Sequence, residues 1–282
     1  MSFIAACLQM RSTQSVARNI ADFEALAREA ISKGATFLQS PEMSNLVART
    51  RADLFSRISP EDQDPFLKAA RALAREAQVT IHLGSLVVLE GEKIANRGFL
   101  IGPDGALVAR YDKLHLFDVD LPNGESWRES ATYTAGSCAV IAPFANATLG
   151  MGICYDLRFP YLFRALAEAG ADILSAPACF TRQTGEAHWV VLQRARAIET
   201  GSFMISAAQG GRHEDGRETF GHSIIVDPWG KVLAEAEDAP GLVLAEIDLS
   251  KVADARGRIP TFKHTRTVPV LRLAGVEKVA VL

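Results

Sequence analysis

Short apolar runs alternate with amphipathic stretches along this chain. Phe3 to Met10 is almost continuously apolar and short, the pattern of a strand buried on both faces. From Ser15 to Lys33 the apolar positions fall three and four apart. Val16, Ile20, Phe23, Ala27, Ala30 and Ile31 share one face, which predicts a helix stopped by Gly34. Ala35 to Gln39 is the next strand and runs directly into Ser40-Pro41-Glu42-Met43. Ser59-Pro60-Glu61 carries start signals for a second helix, with Phe66, Leu67, Ala70, Leu73 and Ala74 as its stripe. The middle predicts strands over 79–89, 97–101 and 106–111. They are joined at Glu90-Gly91-Glu92 and Gly102-Pro103-Asp104-Gly105. From Lys113 to about Ser137, around Pro122-Asn123-Gly124, apolar residues thin out, and so long a loop is usually functional or disordered.

Alternation then resumes. Strands are predicted over 147–153, 172–176 and 203–209, and helices over 158–169 (ended by Gly170) and 186–200. Two further strands, 221–226 and 231–236, flank the turn Asp227-Pro228-Trp229-Gly230. A last strand covers 242–247, a short helix starts near Ser250, and 259–282 reads as an irregular tail. With no linker, repeat or low-complexity tract, residues 1–282 are expected to form one domain of mixed α and β layers.

Composition narrows the function. At 282 residues and 48% hydrophobic, the chain can bury a core without disulfide or metal staples. The net charge is −3 and the basic residues are interspersed with acids, which argues against a nucleic-acid surface. No stretch approaches the roughly 20 apolar residues of a membrane span, and no signal peptide is evident. Cys7, Cys138, Cys154 and Cys179 form no CxxC pair, so reduced thiols in a cytoplasmic protein are expected.

Three positions place reactive groups just after an apolar strand, where a rigid scaffold can hold them. They are Glu42 after 35–39, Lys113 after 106–111, and Cys154 after 147–153. Strand, sharp turn and helix would expose the Cys154 sulfur near a helix N-terminus, whose dipole favours a thiolate. Taken singly, a buried cysteine is more often a core residue, and a lone Glu or Lys is more often solvated. His115 alone usually satisfies a local hydrogen bond. No HxH or HExxH spacing supports a metal, no Gly-rich phosphate loop supports a nucleotide, and no GxSxG elbow supports a serine triad.

Taken together, longer motifs say more. Pro41-Glu42, then Lys113-Leu114-His115-Leu116-Phe117, then Gly152-Ile153-Cys154-Tyr155-Asp156-Leu157-Arg158-Phe159-Pro160 resemble the nitrilase superfamily of carbon–nitrogen hydrolases. Added marks are Glu129-Ser130 with Gly136, Thr184-Gly185 with Ala187-His188-Trp189, Arg194 to Glu199, and Gly221-His222-Ser223. The stretch Gln209-Gly210-Gly211-Arg212-His213 leans toward the branch of omega-amidase and deaminated glutathione amidase. The resemblance implies a four-layer α-β-β-α sandwich, assembly into homodimers or larger homo-oligomers, and no cofactor or metal. It implies Cys154 as nucleophile, Glu42 as general base, and Lys113 with the Tyr155 backbone N–H as oxyanion donors. Glu129 would orient Lys113, and His115, Arg158, Phe180 and Thr184 would line a pocket for a carboxylate-bearing substrate.

The activity so implied is hydrolysis of the primary amide of a small carboxylate-bearing molecule, releasing ammonia through a cysteine thioester. Deaminated glutathione is the favoured substrate and α-ketoglutaramate the second. An N-carbamoyl amino acid amidohydrolase and a catalytically silent interaction scaffold are the alternatives. Two places depart from the pattern. Gln39-Ser40 stand where apolar residues are usual, and Glu186 stands where proline is usual, with Arg182 near enough to offset its charge.

Overall fold

The computed structural model describes residues 2–121, 124 and 126–270. Two sheets carry the chain. The first orders its strands Gly241–Asp248, Ser2–Gln9, Ala35–Ser40, Thr80–Glu90, Lys93–Ile101 and Leu107–Asp112, with Tyr133–Thr134 added beside Lys93–Ile101. The second orders Val232–Glu235, Ile224–Val226, Phe203–Ser206, Ile173–Ser175, Ala147–Met151 and Val140–Phe144. At the centre of each sheet the neighbours run parallel. Parallel pairing requires crossover connections, and the helices supply them.

The continuous apolar run of the first strand follows from its place between two layers. Ala6 and Leu8 pack with Phe23, Ala27, Phe66 and Leu73 of helices Val16–Ser32 and Pro65–Ala77. Ala5 and Cys7 turn the other way and share a core with Leu149, Ile173, Phe203 and Ile224 of the second sheet. Helices Pro160–Glu168 and Arg182–Thr200 cover the far side, through Phe163, Leu166 and Trp189. The order is helices, sheet, sheet, helices: the expected four-layer α-β-β-α sandwich.

Local signals explain most boundaries. Ser15 caps the first helix by accepting the Arg18 N–H, and Gly34 follows it at φ +86°. The second helix corrects the reading at residues 59–61. Its cap is Asp64, whose Oδ1 accepts the Leu67 N–H at 2.8 Å, with Pro65 in the first turn. Pro60 instead bridges to Leu89. Strand Lys93–Ile101 begins four residues before the expected 97, and helix Arg182–Thr200 begins four before 186. The region 113–137 is less irregular than expected, with a hairpin of Asp118–Asp120 and Ser126–Arg128 and a 3₁₀ turn at Glu129–Ala131. Pro122 and Asn123 lie outside the described residues, as does the tail beyond 270.

The two sheets approach closely at Gly84. A Cβ there would stand 2.3 Å from the Ser40 carbonyl oxygen and 2.4 Å from Cβ of Pro177. Both neighbours are backbone or ring atoms that cannot swing aside. Gly84→Ala is therefore expected to lower the unfolding free energy by at least about 2–3 kcal/mol, the scale of forced overpacking. A chemical-denaturation midpoint unchanged from wild type would contradict this.

Candidate functional site

The three strand-end residues meet in one cleft of about 950 Å³. Glu42 and Lys113 are each 2% exposed and Cys154 8%. Lys113 Nζ donates to Glu42 Oε1 at 2.9 Å and to both oxygens of Glu129 at 3.0 and 2.8 Å. The Cys154 thiol stands beside the Glu42 carboxylate, close enough that each shifts the other's proton affinity. The second Glu42 oxygen, Oε2, accepts the Cys179 N–H at 2.7 Å. Glu129 Oε2 also accepts the Phe117 N–H at 2.7 Å, which ties the far end of the long loop to the ammonium.

Each side chain is aimed by its backbone. Strand Ala35–Ser40 lies mid-sheet, and Gln209 Nε2 steadies the Glu42 carbonyl from the other sheet at 3.0 Å. Gln39, a departure from the apolar norm, is fully buried. It donates to Nδ1 of His82 and accepts the Ala207 N–H at 2.6 Å, so it pins the two sheets together beneath Glu42. Lys113 N donates to the Asn96 carbonyl at 3.0 Å as its strand ends.

Cys154 has φ +49°, a conformation few non-glycine residues adopt, and such strain clusters at working sites. Its turn is held by Asp156, which is fully buried. Asp156 accepts the Ile153 N–H at 2.9 Å, the Tyr111 hydroxyl at 2.7 Å and the His115 N–H at 3.0 Å. One carboxylate thus ties the Cys154 turn to the strand end that carries Lys113. Arg196 adds a second anchor by donating twice to the Leu157 carbonyl, at 3.1 and 2.9 Å, which gives the Arg194 to Glu199 motif a structural task. Asp156→Ala would leave those buried donors without their acceptor, at a cost of about 2–4 kcal/mol. The expected loss appears in denaturant unfolding, and an undiminished midpoint would refute it.

Burial pushes the Glu42 carboxyl up, but the Lys113 ammonium and the hydrogen bonds to Glu42 outweigh it, so it sits below the ordinary carboxylate range. Burial alone would lower Lys113, yet Glu129 and Glu42 hold it well above an ordinary lysine. Burial, then the neighbouring Glu42 charge, raises the Cys154 thiol well above its usual value. This corrects the expectation of a dipole-stabilised thiolate. Residues 154–158 form only a 3₁₀ turn, the α-helix begins at Pro160, and the nearest charge is a carboxylate. The resting pair is a thiol beside a carboxylate, an arrangement able to transfer the proton as the sulfur attacks.

Of the other expected residues, Tyr155, Phe180 and Thr184 line the cleft, and Glu129 reaches it beside Lys113. His115 and Arg158 do not. Asp156 takes the His115 Nδ1–H at 2.6 Å while Phe159 stacks on its ring, and Arg158 lies 5.3 Å over the Phe180 ring with His188 as polar neighbour. Glu186 lines the cleft and accepts from Arg182 at 3.1 Å, the offset anticipated for its charge.

Sequence reading missed Arg49, Arg212 and Arg217 on the cleft wall, and Asn96 behind it. Arg212 falls in a quoted motif, but nothing local says where it points. Asn96 carried a fainter signal, an amide inside the apolar run from Ile94 to Ile101. Among the described residues no group of three His, Cys, Asp or Glu is placed to hold a metal ion.

Over residues 4–257 the chain matches the carbon-nitrogen hydrolase family. The protein belongs to that family. It is 39% identical to the deaminated glutathione amidase of Synechocystis sp., over 93% of this chain and 97% of the relative. It is also 39% identical to the human deaminated glutathione amidase, over 94% and 83% of the two chains. Among solved structures, the NitFhit protein of C. elegans superposes with a TM-score of 0.87 at 33% identity. That match covers 94% of this chain, and the chain spans 65% of NitFhit. Nit3 of Saccharomyces cerevisiae, a member of branch 10 of the nitrilase superfamily, superposes at 0.82 with 26% identity, over 92% and 94% of the two chains. This carbon–nitrogen hydrolase therefore shares both fold and family with enzymes of non-peptide C–N cleavage.

Proposed function

We propose that this hydrolase is an amidase for small carboxylate-bearing amides, with deaminated glutathione first among candidates and α-ketoglutaramate second. One observation carries the chemistry: the Glu42 carboxylate lies beside the Cys154 thiol in the cleft and accepts a hydrogen bond from the Lys113 ammonium at 2.9 Å. The Cys154 sulfur attacks the amide carbonyl as Glu42 takes its proton. The Lys113 ammonium and the Tyr155 N–H steady the oxyanion, a role worth about 100- to 1,000-fold per donor. Glu42 returns the proton to the departing nitrogen, which leaves a thioester on Cys154. Glu42 then takes a proton from water, the hydroxyl adds to the thioester, and acid and free thiol result. Glu129 keeps Lys113 in place.

The substrate reading rests on the 38–40% identity to deaminated glutathione amidases and on the charge of the cleft. Arg49 and Arg212 line it and make no ion pair with any described residue, which leaves them open to a carboxylate. The expelled group depends on the substrate. Deaminated glutathione carries its amide nitrogen on a cysteinylglycine tail, so an amine departs, whereas α-ketoglutaramate releases ammonia. This refines the ammonia release expected at first.

The experiment is a panel of both compounds, simple ω-amides and N-carbamoyl amino acids, read for 2-oxo acid, amine, ammonia and carbon dioxide. Cleavage of the two 2-oxo amides at least about tenfold faster than the others supports the reading. Carbon dioxide release above all else would mark a carbamoyl amidohydrolase, and no turnover of any compound would favour a silent scaffold. The homodimer and the cytoplasmic location belong to the same proposal. Val191 on helix Arg182–Thr200 and Trp229 in the turn at 227–230, 67% and 58% exposed, suit a partner surface, and light scattering reads the assembly directly.

A further inference from the structure

Lys113 faces two carboxylates with a single positive charge. Its Nζ lies within hydrogen-bond distance of one Glu42 oxygen and of both Glu129 oxygens. A second donor stands between the same two acids. Asn96, on strand Lys93–Ile101 and 1% exposed, donates from Nδ2 to Glu42 Oε1 at 2.9 Å and to Glu129 Oε1 at 3.3 Å. Its backbone carbonyl accepts the Lys113 N–H at 3.0 Å. One residue therefore touches Glu42, Lys113 and Glu129. Resting on the amidase reading above, we infer that Asn96 is a positioning residue of the reaction: its amide is shared between Glu42 and Glu129 and holds both acids in register about the Lys113 ammonium, with Glu42 aimed at Cys154.

The other half of the amide favours this over a packing role. Asn96 Oδ1 is buried and has no hydrogen-bond partner. A buried acceptor left unmet costs stability, and fold alone would be better served by an apolar residue on a strand. The orientation is instead dictated by the acids that the Nδ2 group serves. A neutral donor also suits the charge balance. A second cation would overpull Glu42 and weaken it as a base, while no donor at all would let the two acids repel or protonate. The ionisable groups around Asn96 are Glu42, Lys113 and Glu129, with Tyr133 from the strand paired beside it. Beyond Glu42 lie the thiols of Cys154 and Cys179.

Three variants and two readouts test the inference. Asn96→Ala removes the donor, Asn96→Ser keeps a shorter one, and Asn96→Asp keeps the shape but adds a third acid. A lost hydrogen bond to an ionised carboxylate raises its pKa. For Asn96→Ala we expect kcat to fall about 10- to 100-fold at neutral pH with KM within about twofold. The acid limb of the kcat profile should move up by about one pH unit. Asn96→Ser should lie between it and wild type. Asn96→Asp should be the weakest at neutral pH and regain activity in acid, where the protonated Asp can donate. If the alanine variant fails to fold, the Ser and Asp profiles decide alone.

The second readout needs no substrate. It is the pH dependence of Cys154 alkylation by iodoacetamide, followed on its own peptide. A shifted alkylation profile in the variants, with wild type inert toward every amide, would keep the positioning role and reject the amidase. Turnover by wild type with neither profile moved in any variant would overturn the inference, as would a loss confined to KM.

Discussion

Cys154→Ala is expected to cut amide turnover by at least about 10⁴-fold, the scale seen when a nucleophile is removed from a covalent mechanism. The fold should survive. Alanine keeps the Cβ that already tolerates φ +49°, and the loss of one sulfur from a small, nearly buried site costs about 1 kcal/mol. Cys179 is the one other cysteine among the described residues that lines the same cleft. It should not substitute: burial raises both thiols, but Glu42 meets Cys179 through its backbone N–H at 2.7 Å and stands ready as a base only for the Cys154 sulfur. The check is product formation by folded variant and wild type, with iodoacetamide labelling of each cysteine. Residual activity above about 1% of wild type would move the nucleophile elsewhere.

Lys113→Met should inactivate the enzyme and also reverse how its stability responds to pH. In the wild type the ammonium holds Glu42 below its ordinary range. A lowered folded pKa gives stability that is present above the unfolded value, about 4.3, and lost as pH falls through the folded value. With methionine in place, Glu42 and Glu129 face each other at 2% and partial burial with only Asn96 and backbone N–H groups between them. At least one carboxyl is then raised above its unfolded value. Stability is kept below about pH 4.3 and lost as pH rises through that raised value.

The penalty for breaking such a buried set is about 3–5 kcal/mol at neutral pH and less in acid. Denaturant midpoints at pH 5 and pH 8 read the sign directly. A variant equally stable at both, with turnover within tenfold of wild type, would remove Lys113 from the charge balance of the site. The two variants separate the roles of the cleft: one loses only the reacting sulfur, the other loses the charge that keeps its base ionised.

Much of this protein is written in short stretches of its chain. Periodicity is local physics, so the run Phe3 to Met10, the stripe from Val16 to Ile31 and the Gly34 stop could be read directly. Strand-end placement of Glu42, Lys113 and Cys154 was legible for the same reason, and the motifs around them led to the family. What failed were boundaries where two local signals compete. Ser59-Pro60-Glu61 looks like a helix start, yet the better cap at Asp64, five residues nearer the stripe, won.

The meeting of residues 42, 113 and 154 was decided only by the tertiary structure, since hydrogen bonds across separations of 71 and more residues leave no periodic trace. So was the assignment of neighbours. His115 and Arg158, two and four residues from Lys113 and Cys154, turn away from the cleft because Asp156 and Phe180 claim them. Arg49 and Arg212 line the cleft instead, and Asn96 reaches Glu42 from behind its wall. Which side chain faces the cleft depends on the register and packing of two sheets, and that information is shared by the whole chain rather than held in any segment of it.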